Sequence, residues 1–162
     1  MKLSKRGEYG IKALIDLASR DPALGAATVR EIAAHQKIPV KFLEQILLAL
    51  KNAGVLKSKP GAGGGYALAR PPDQITLGQV VRLLDGPLAP IPCVSKTAYQ
   101  PCVCPDENMC GLRLTMLDVR NAIADILDNT TLADVTHRVE QAQHQASRVA
   151  PRARPRRRAA AR

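Results

Sequence analysis

The stretch 28–70 constrains the fold more than any other part of the chain. It opens with T-V-R-E, and the T-x-x-E spacing of a capping box predicts that a short helix begins there. A tight connection containing Pro39 leads to a longer predicted helix over about residues 40–53, and Gly54 suits the left-handed residue just after its end. A short helix, a tight turn and a longer helix with a polar outer face are typical of a helix-turn-helix, whose second helix enters the DNA major groove.

The segment 55–70, VLKSKPGAGGGYALAR, predicts a β-hairpin. Val55 and Leu56 can begin one strand and the Tyr-Ala-Leu run can form the returning one, with a glycine-rich turn between them. A hairpin directly after a recognition helix is typical of a wing, and glycine lets its backbone approach a duplex closely. A nucleotide-binding P-loop is the competing interpretation, but no Lys-Ser/Thr pair follows the glycines and a strand follows instead of a helix.

Two further helices complete this predicted domain. Apolar residues at helical spacing mark the buried face of a first helix within residues 4–20, and ITLGQVVRLL predicts a short helix over residues 75–84. Residues 1–85 are therefore expected to form a winged helix-turn-helix domain.

All four cysteines lie in the following loop, residues 86–111, which has no hydrophobic periodicity and five prolines. Its thiols are Cys93, Cys102, Cys104 and Cys110. An irregular segment of this length inside a compact chain is usually functional or disordered, and four cysteines favour function. No signal peptide and no apolar run of about 18 residues is present, so we expect a cytoplasmic protein without membrane contact. Clustered thiols there indicate metal ligands or redox-active groups more than disulfides.

The segment 112–142 carries an apolar heptad pattern followed by a shorter amphipathic stretch. The heptad residues are Leu112, Met116, Val119, Ile123 and Ile126. This seam predicts a long helix that pairs with its copy in a homodimer. Packing of the same helix on the winged domain is the alternative.

The C-terminal segment 143–162 is Arg-rich and of low complexity, which predicts a disordered tail. Seven arginines lie in residues 148–162, so the net charge of +10 falls to +3 without them. The basic charge alone is therefore weak evidence for nucleic-acid binding. The tail either adds non-specific affinity for phosphates or is a dispensable solvated extension.

Taken together, these motifs resemble the bacterial winged-helix transcriptional regulators of the Rrf2 type, which include IscR, NsrR, RirA and CymR. The resemblance covers residues 1–136 and rests on MKLSKRGEYGIKALIDLA, IPVKFLEQILLALKNAGVL, GAGGGYALAR, ITLGQVV and ILDNTTLADV. It implies a mainly α fold with a small β-hairpin wing, a long dimerisation helix and a homodimer that binds a double-stranded DNA operator. The function that it implies is transcriptional regulation, most often repression.

The resemblance also implies which side chains meet DNA. Lys41, Glu44 and Gln45 would face base edges in the major groove, where Gln can pair with adenine and Glu can accept from cytosine. Lys51, Lys57 and Lys59 would contact the phosphate backbone.

Many members of this family hold an iron–sulfur cluster on three cysteines of the loop, so the resemblance implies a [2Fe-2S] or [4Fe-4S] cofactor. The spacing here is C-x8-C-x-C-x5-C: Cys93, Cys104 and Cys110 match the family positions, and Cys102 is additional. The fourth ligand stays open between Cys102 and Glu8 of a partner subunit. The signal would be redox state, iron or nitric oxide.

Other interpretations remain for the same residues. A structural zinc is one, although the C-x2-4-C pairs of zinc sites are missing. A thiol switch through Cys102 or Cys104 is another. An iron–sulfur electron carrier would leave the winged domain without a role, and an architectural DNA-coating protein would depend on the tail. No nucleophile–base pair or paired-acid constellation is visible, so no enzyme is expected.

Overall fold

Six helices and one two-stranded hairpin form the part of the chain that the computed structural model describes, residues 2–61 and 63–149. Three single-turn 3-10 segments lie in the connections. The elements are α1 (Lys5–Ala18), α2 (Val29–Gln36), α3 (Val40–Asn52), β1 (Leu56–Lys59), β2 (Gly65–Leu68), α4 (Leu77–Asp85), α5 (Gly111–Asp128) and α6 (Leu132–Val149). No helix in this described part is long and apolar enough to cross a bilayer. The predicted mainly α fold with a hairpin wing is confirmed.

The helix-turn-helix begins at the predicted capping box. The Glu31 backbone N–H donates to the Thr28 hydroxyl at 3.2 Å, and the Thr28 N–H donates to the Glu31 carboxylate at 2.7 Å. Lys37 ends α2 in the left-handed conformation, with φ of 53°. Because this residue reverses the chain in one step, α3 begins only three residues later. Gly54, with φ of 72°, follows the end of α3 as predicted.

The core is aliphatic and lies among α1, α2, α3, α4 and the hairpin. Its fully buried members include Leu14, Ile46, Leu50 and Val80. Leu132, at the start of α6, is also fully buried in this cluster. The sequence suggested that the winged domain ends at residue 85. In the structure α6 also belongs to it, because this helix packs on α1 and closes the core.

The hairpin pairs Leu56 with Leu68 and Lys59 with Gly65, in antiparallel register. Its second strand also bonds to the chain just before α2. The Ala27 N–H donates to the Tyr66 carbonyl at 2.9 Å, and the Tyr66 N–H donates to the Ala27 carbonyl at 2.7 Å. These two bonds fix the wing against the helix-turn-helix.

Two backbone hydrogen bonds join the α5–α6 junction to the start of α4. The Leu77 N–H donates to the Thr130 carbonyl, and the Leu132 N–H donates to the Ile75 carbonyl, each at 2.9 Å. The Arg82 guanidinium binds both carboxylate oxygens of Asp128, at 2.5 and 2.9 Å. The C-terminal end of α5 is therefore anchored to the winged domain.

The last helix is longer than the sequence suggested. It continues to Val149, so residues 143–149 are helical and do not belong to the predicted disordered tail. This stretch contains no glycine or proline, and nothing in it interrupts the helix. The remainder of that predicted tail, residues 150–162, lies outside the described residues.

Candidate nucleic-acid interface and cysteine site

The two faces of α3 differ sharply in exposure. Its inner face is fully buried, with no accessible surface on Leu43, Ile46, Leu47 or Leu50. Its outer face carries the predicted base-contacting and phosphate-contacting residues, which are all exposed: Lys41, Glu44, Gln45 and Lys51. Because α2 and the core hold the inner face, the outer face is presented as a rigid polar surface of the size that a major groove admits.

The wing adds two cations beside this surface. Lys57 and Lys59 alternate with Ser58 on β1, so their side chains lie on one face of the hairpin. Both are exposed. The structure therefore places all six predicted DNA-binding residues on accessible surfaces of the helix-turn-helix and the wing.

One further cation at this interface could not be found from the sequence. Lys37 lies exposed in the turn between α2 and α3, held in place by the bond from the Ile38 N–H to the Ala33 carbonyl at 3.0 Å. A left-handed backbone at a lysine has no sequence signature, since glycine or asparagine is usual there.

The four cysteines meet at one cavity. Its volume is about 260 Å³, and its lining includes Cys93, Cys102, Cys104 and Cys110. Cys93 comes from the 3-10 turn Pro92–Val94, and Cys110 directly precedes α5. The loop between the predicted winged helix-turn-helix domain and α5 therefore brings all four thiols of the chain together.

Two of these thiols form a close pair. The Sγ atoms of Cys104 and Cys110 are 3.8 Å apart. Hydrogen bonds with the Arg113 backbone N–H, at the start of α5, and with the Cys104 thiol lower the pKa of Cys110. Hydrogen bonds with Cys102 and Cys110 raise the pKa of Cys104 to about 12. The pair therefore combines a thiol of lowered pKa at the helix N-terminus with a thiol of raised pKa.

A carboxylate organises the loop around this cavity. Glu107 accepts from the Tyr99 hydroxyl at 2.7 and 2.8 Å and from the Cys102 backbone N–H at 3.2 Å. The Arg113 Nε lies 4.0 Å away. The bond from Tyr99 holds the pKa of Glu107 below its usual value. Sequence reasoning missed this residue, because nothing local in the sequence pairs Glu107 with a tyrosine eight positions earlier.

The other predicted ligand, Glu8, is not brought to the thiols within one chain. It lies in the first turn of α1, between Lys5 at 2.6 Å and Lys12 at 2.8 Å. Hydrogen bonds from Lys12 and Lys5 lower the pKa of Glu8 to about 2. Its carboxylate is not among the residues that line the cysteine cavity of the described chain.

The cavity offers four thiol donors. Among the described residues, no three His, Cys, Asp or Glu side chains are grouped as they would be around one metal ion. Four soft thiol donors around one cavity match in type the Cys₄ ligation of iron–sulfur clusters. Cys93, Cys102, Cys104 and Cys110 therefore fit such a group in type and place.

Helix α5 presents an apolar seam that the described chain leaves uncovered. Leu112 is 62% exposed, Val119 38% and Ile126 64%, whereas Met116 and Ile123 are half-buried. On the whole helix only Arg120 is buried. The seam runs from the cysteine site at one end of α5 to the α5–α6 junction at the other.

This architecture has close counterparts among known proteins. Residues 3–138 match the model of the Rrf2 family, described as an iron-dependent transcriptional regulator. An rrf2-like HTH-type transcriptional regulator of Rhodobacter capsulatus is 40% identical over 136 residues, which are 82% of this chain and 91% of the relative.

Two solved structures show the same arrangement at 33% identity each. CymR, the global cysteine regulator of B. subtilis, superposes with a TM-score of 0.72 over 85% of this chain and 97% of that one. IscR of T. potens superposes with a TM-score of 0.69 over 88% of this chain and 91% of that one. Each of these matches spans more than four fifths of the chain.

Proposed function

Since this chain belongs to the Rrf2 family of transcriptional regulators, we propose that it is a cytoplasmic, homodimeric repressor that senses its signal through an iron–sulfur cluster on the cysteine loop. Its homologues and its fold are those of transcriptional regulators and not of enzymes. The observation that carries the proposal is the single cavity lined by all four thiols, at the start of α5.

The proposed DNA contacts follow from the two accessible surfaces. Gln45 and Glu44 would read base edges from the middle of α3, and Lys41 would reach the groove from its first turn. Lys51, Lys57 and Lys59 would neutralise phosphates and set the position of the protein on the duplex.

A two-fold dimer would present two such surfaces to the two halves of an operator. The exposed seam of α5 supports this assembly, since Leu112, Val119 and Ile126 are uncovered in a single chain. The dimer would also bring Glu8 of one subunit towards the other, which keeps Glu8 a candidate fourth ligand beside Cys102. The fourth ligand and the choice between [2Fe-2S] and [4Fe-4S] belong to the same proposal.

The bound cluster would supply a group that iron supply, oxidants or nitric oxide can alter. Cys93, Cys104 and Cys110 would hold it, and Glu107 would keep Cys102 and the loop backbone in place through its bonds to Tyr99 and Cys102. Because the loop follows α4 directly and ends at α5, a change in its conformation would act on both the winged helix-turn-helix domain and the proposed dimerisation helix α5.

Metal analysis of protein purified without oxygen tests this proposal. We expect iron and sulfide in matching amounts, visible charge-transfer absorption, and loss of both from Cys104→Ala. Cys102→Ala is the matched control: retention of the cluster there assigns the fourth position elsewhere, to Glu8 or to another donor. Zinc in place of iron, or full iron content in Cys104→Ala, would contradict the assignment.

A thiol switch is the second candidate, favoured by the 3.8 Å separation of the Cys104 and Cys110 sulfurs. It predicts no bound iron and a disulfide between these residues after treatment with peroxide, detected by mass spectrometry of non-reduced peptides. A protein that carries iron and sulfide and releases DNA only when the cluster is altered would exclude it.

Operator binding separates base readers from phosphate contacts. Gln45→Ala should lower the preference for the operator over random DNA by about 1–3 kcal/mol. Lys51→Ala should weaken binding to the operator and to random DNA alike. It should also lower by about one the slope of the logarithm of the binding constant against the logarithm of the salt concentration. These two variants control for each other, and equal loss of preference in both would contradict the assigned roles.

A further inference from the structure

A second cavity of the described chain lies away from the cysteines, between the end of α1 and the wing. It has a volume of about 630 Å³. The C-terminal turn of α1, the loop before α2 and one face of the hairpin form its walls. We call it the wing hollow. Apart from Lys57 and Lys59, which are proposed phosphate contacts, the lining residues have no role in the functions assigned above.

The wing hollow exists because small residues stand where a wing could have placed large ones. Lys57 pairs across the hairpin with Ala67, and Lys59 pairs with Gly65, so nothing bulky fills the face that carries both lysines. The hairpin cannot collapse into the space, because the two bonds between Ala27 and Tyr66 hold it at a fixed distance from the helix-turn-helix.

The lining divides into an aliphatic floor and a cationic rim. Leu17, Ala18 and Pro72 contribute to the floor, and Lys57 and Lys59 line the cavity from the wing. Neither lysine makes an ion pair with any carboxylate of the described residues. Two cations without counter-ions above an apolar floor favour a ligand with one anionic end and a hydrocarbon body.

The rim holds two other charged residues, which are already engaged. The Arg20 guanidinium lies 3.8 Å from the Glu31 carboxylate. The Asp21 carboxylate accepts from the Ala23 backbone N–H at 2.8 Å, which directs that oxygen into its own loop. Lys57 and Lys59 are therefore the groups that remain for an incoming anion.

We propose that the wing hollow binds a small aliphatic carboxylate, with its hydrocarbon chain on the floor and its carboxylate between Lys57 and Lys59. Binding itself does not depend on the proposed function. One consequence does: the same two lysines are the proposed phosphate contacts of the wing, so the carboxylate and DNA would exclude each other there.

Titration of the full-length protein with octanoate, in the absence of DNA, tests the site. We expect saturable amide shifts in NMR spectra around Gly25, Lys57 and Ala67. The double variant Lys57→Gln/Lys59→Gln should bind octanoate about tenfold more weakly, because it loses both cations that would pair with the carboxylate. Lys2→Gln, exposed before α1 and outside the hollow, is the matched charge control and should bind as the wild type does.

A second variant removes the space and keeps the charges. Ala67→Leu should fill the hollow and abolish octanoate binding, with Ala142→Leu on the exposed surface of α6 as its control. No saturable binding at millimolar octanoate, or wild-type affinity in either the double lysine variant or Ala67→Leu, would overturn the proposal. Because no DNA is present, a failure of the proposed operator binding cannot produce these outcomes.

Discussion

Gly65→Ala should detach the wing from the helix-turn-helix. A Cβ atom added at Gly65 would lie 2.2 Å from the Ala27 carbonyl oxygen, and real Cβ contacts essentially never fall below 3.0 Å. The oxygen belongs to the backbone of a fully buried residue, so no side chain can rotate away to relieve the overlap. Ala27 and the hairpin must therefore move apart.

The movement has a calculable consequence for stability. It breaks the pair of bonds between Ala27 and Tyr66, now 2.9 and 2.7 Å long, and each such bond contributes about 1 kcal/mol net. Replacing glycine lowers the entropy of the unfolded chain, which returns about 0.4–1 kcal/mol. We expect a net loss of about 1–2 kcal/mol in the free energy of unfolding, and weaker DNA binding because the wing lysines lose their fixed position.

Urea unfolding at one fixed protein concentration measures the stability, and hydrogen exchange of the Tyr66 amide reports the local bond. Gly111→Ala is the matched control, since an added Cβ there meets nothing within 4 Å. Its stability should be unchanged or raised by up to about 1 kcal/mol. A Gly65→Ala protein with wild-type stability and a protected Tyr66 amide would refute the reasoning.

Three other outcomes follow from the described contacts. Arg82 lowers the pKa of Asp128, so their bridge stabilises the fold above the unfolded value near about 3.9 and is lost as the pH falls through the lowered folded value. Asp128→Asn should therefore reduce the free energy of unfolding by about 0.5 kcal/mol at neutral pH, and by nothing in acid, in paired urea titrations. Ile126→Asp should convert a dimer into a monomer in light scattering, and an unchanged mass would contradict the role of the α5 seam. Glu107→Ala should speed alkylation of Cys102 about tenfold in metal-free protein, because the loop loses the hydrogen bonds that Tyr99 and the Cys102 backbone donate to this carboxylate.

Local patterns in the sequence were enough to predict most of the helices. The T-x-x-E box marked the start of α2, and Gly54 marked the end of α3, because both signals act within a single turn of backbone. The apolar spacing of α3 matched its buried face for the same reason. The buried face of α1 is centred on Ala13, Leu14 and Leu17, and the predicted Ile11, Ile15 and Ala18 are only partly buried beside it. The extension of α6 to Val149 was missed, since low complexity was taken as disorder although the residues can form a helix.

Contacts between distant residues could not be predicted in this way. The bonds of Ala27 to Tyr66 and the use of Leu132 in the core join segments far apart in the chain, and no local pattern encodes them. The cysteine site was predictable as a set of residues and not as a geometry. Its close pair, Cys104 and Cys110, and its organising carboxylate depend on how a proline-rich loop without periodicity folds back on itself.

The hydrogen bonds at the α5–α6 junction attach the C-terminal end of α5 to the start of α4 near Thr130. If α5 moves as a rigid helix, it would therefore tilt about this end. The helix has 18 residues and is therefore about 27 Å long, and its far end adjoins Cys110. A shift of about 2 Å at the Cys110 end would then correspond to a tilt of only about 4° about the other end, given that length. Small rearrangements among the thiols would then be transmitted as small rotations at the start of α4. In a dimer joined along α5, the same tilt would change the spacing between the two α3 helices, which must match one turn of the duplex.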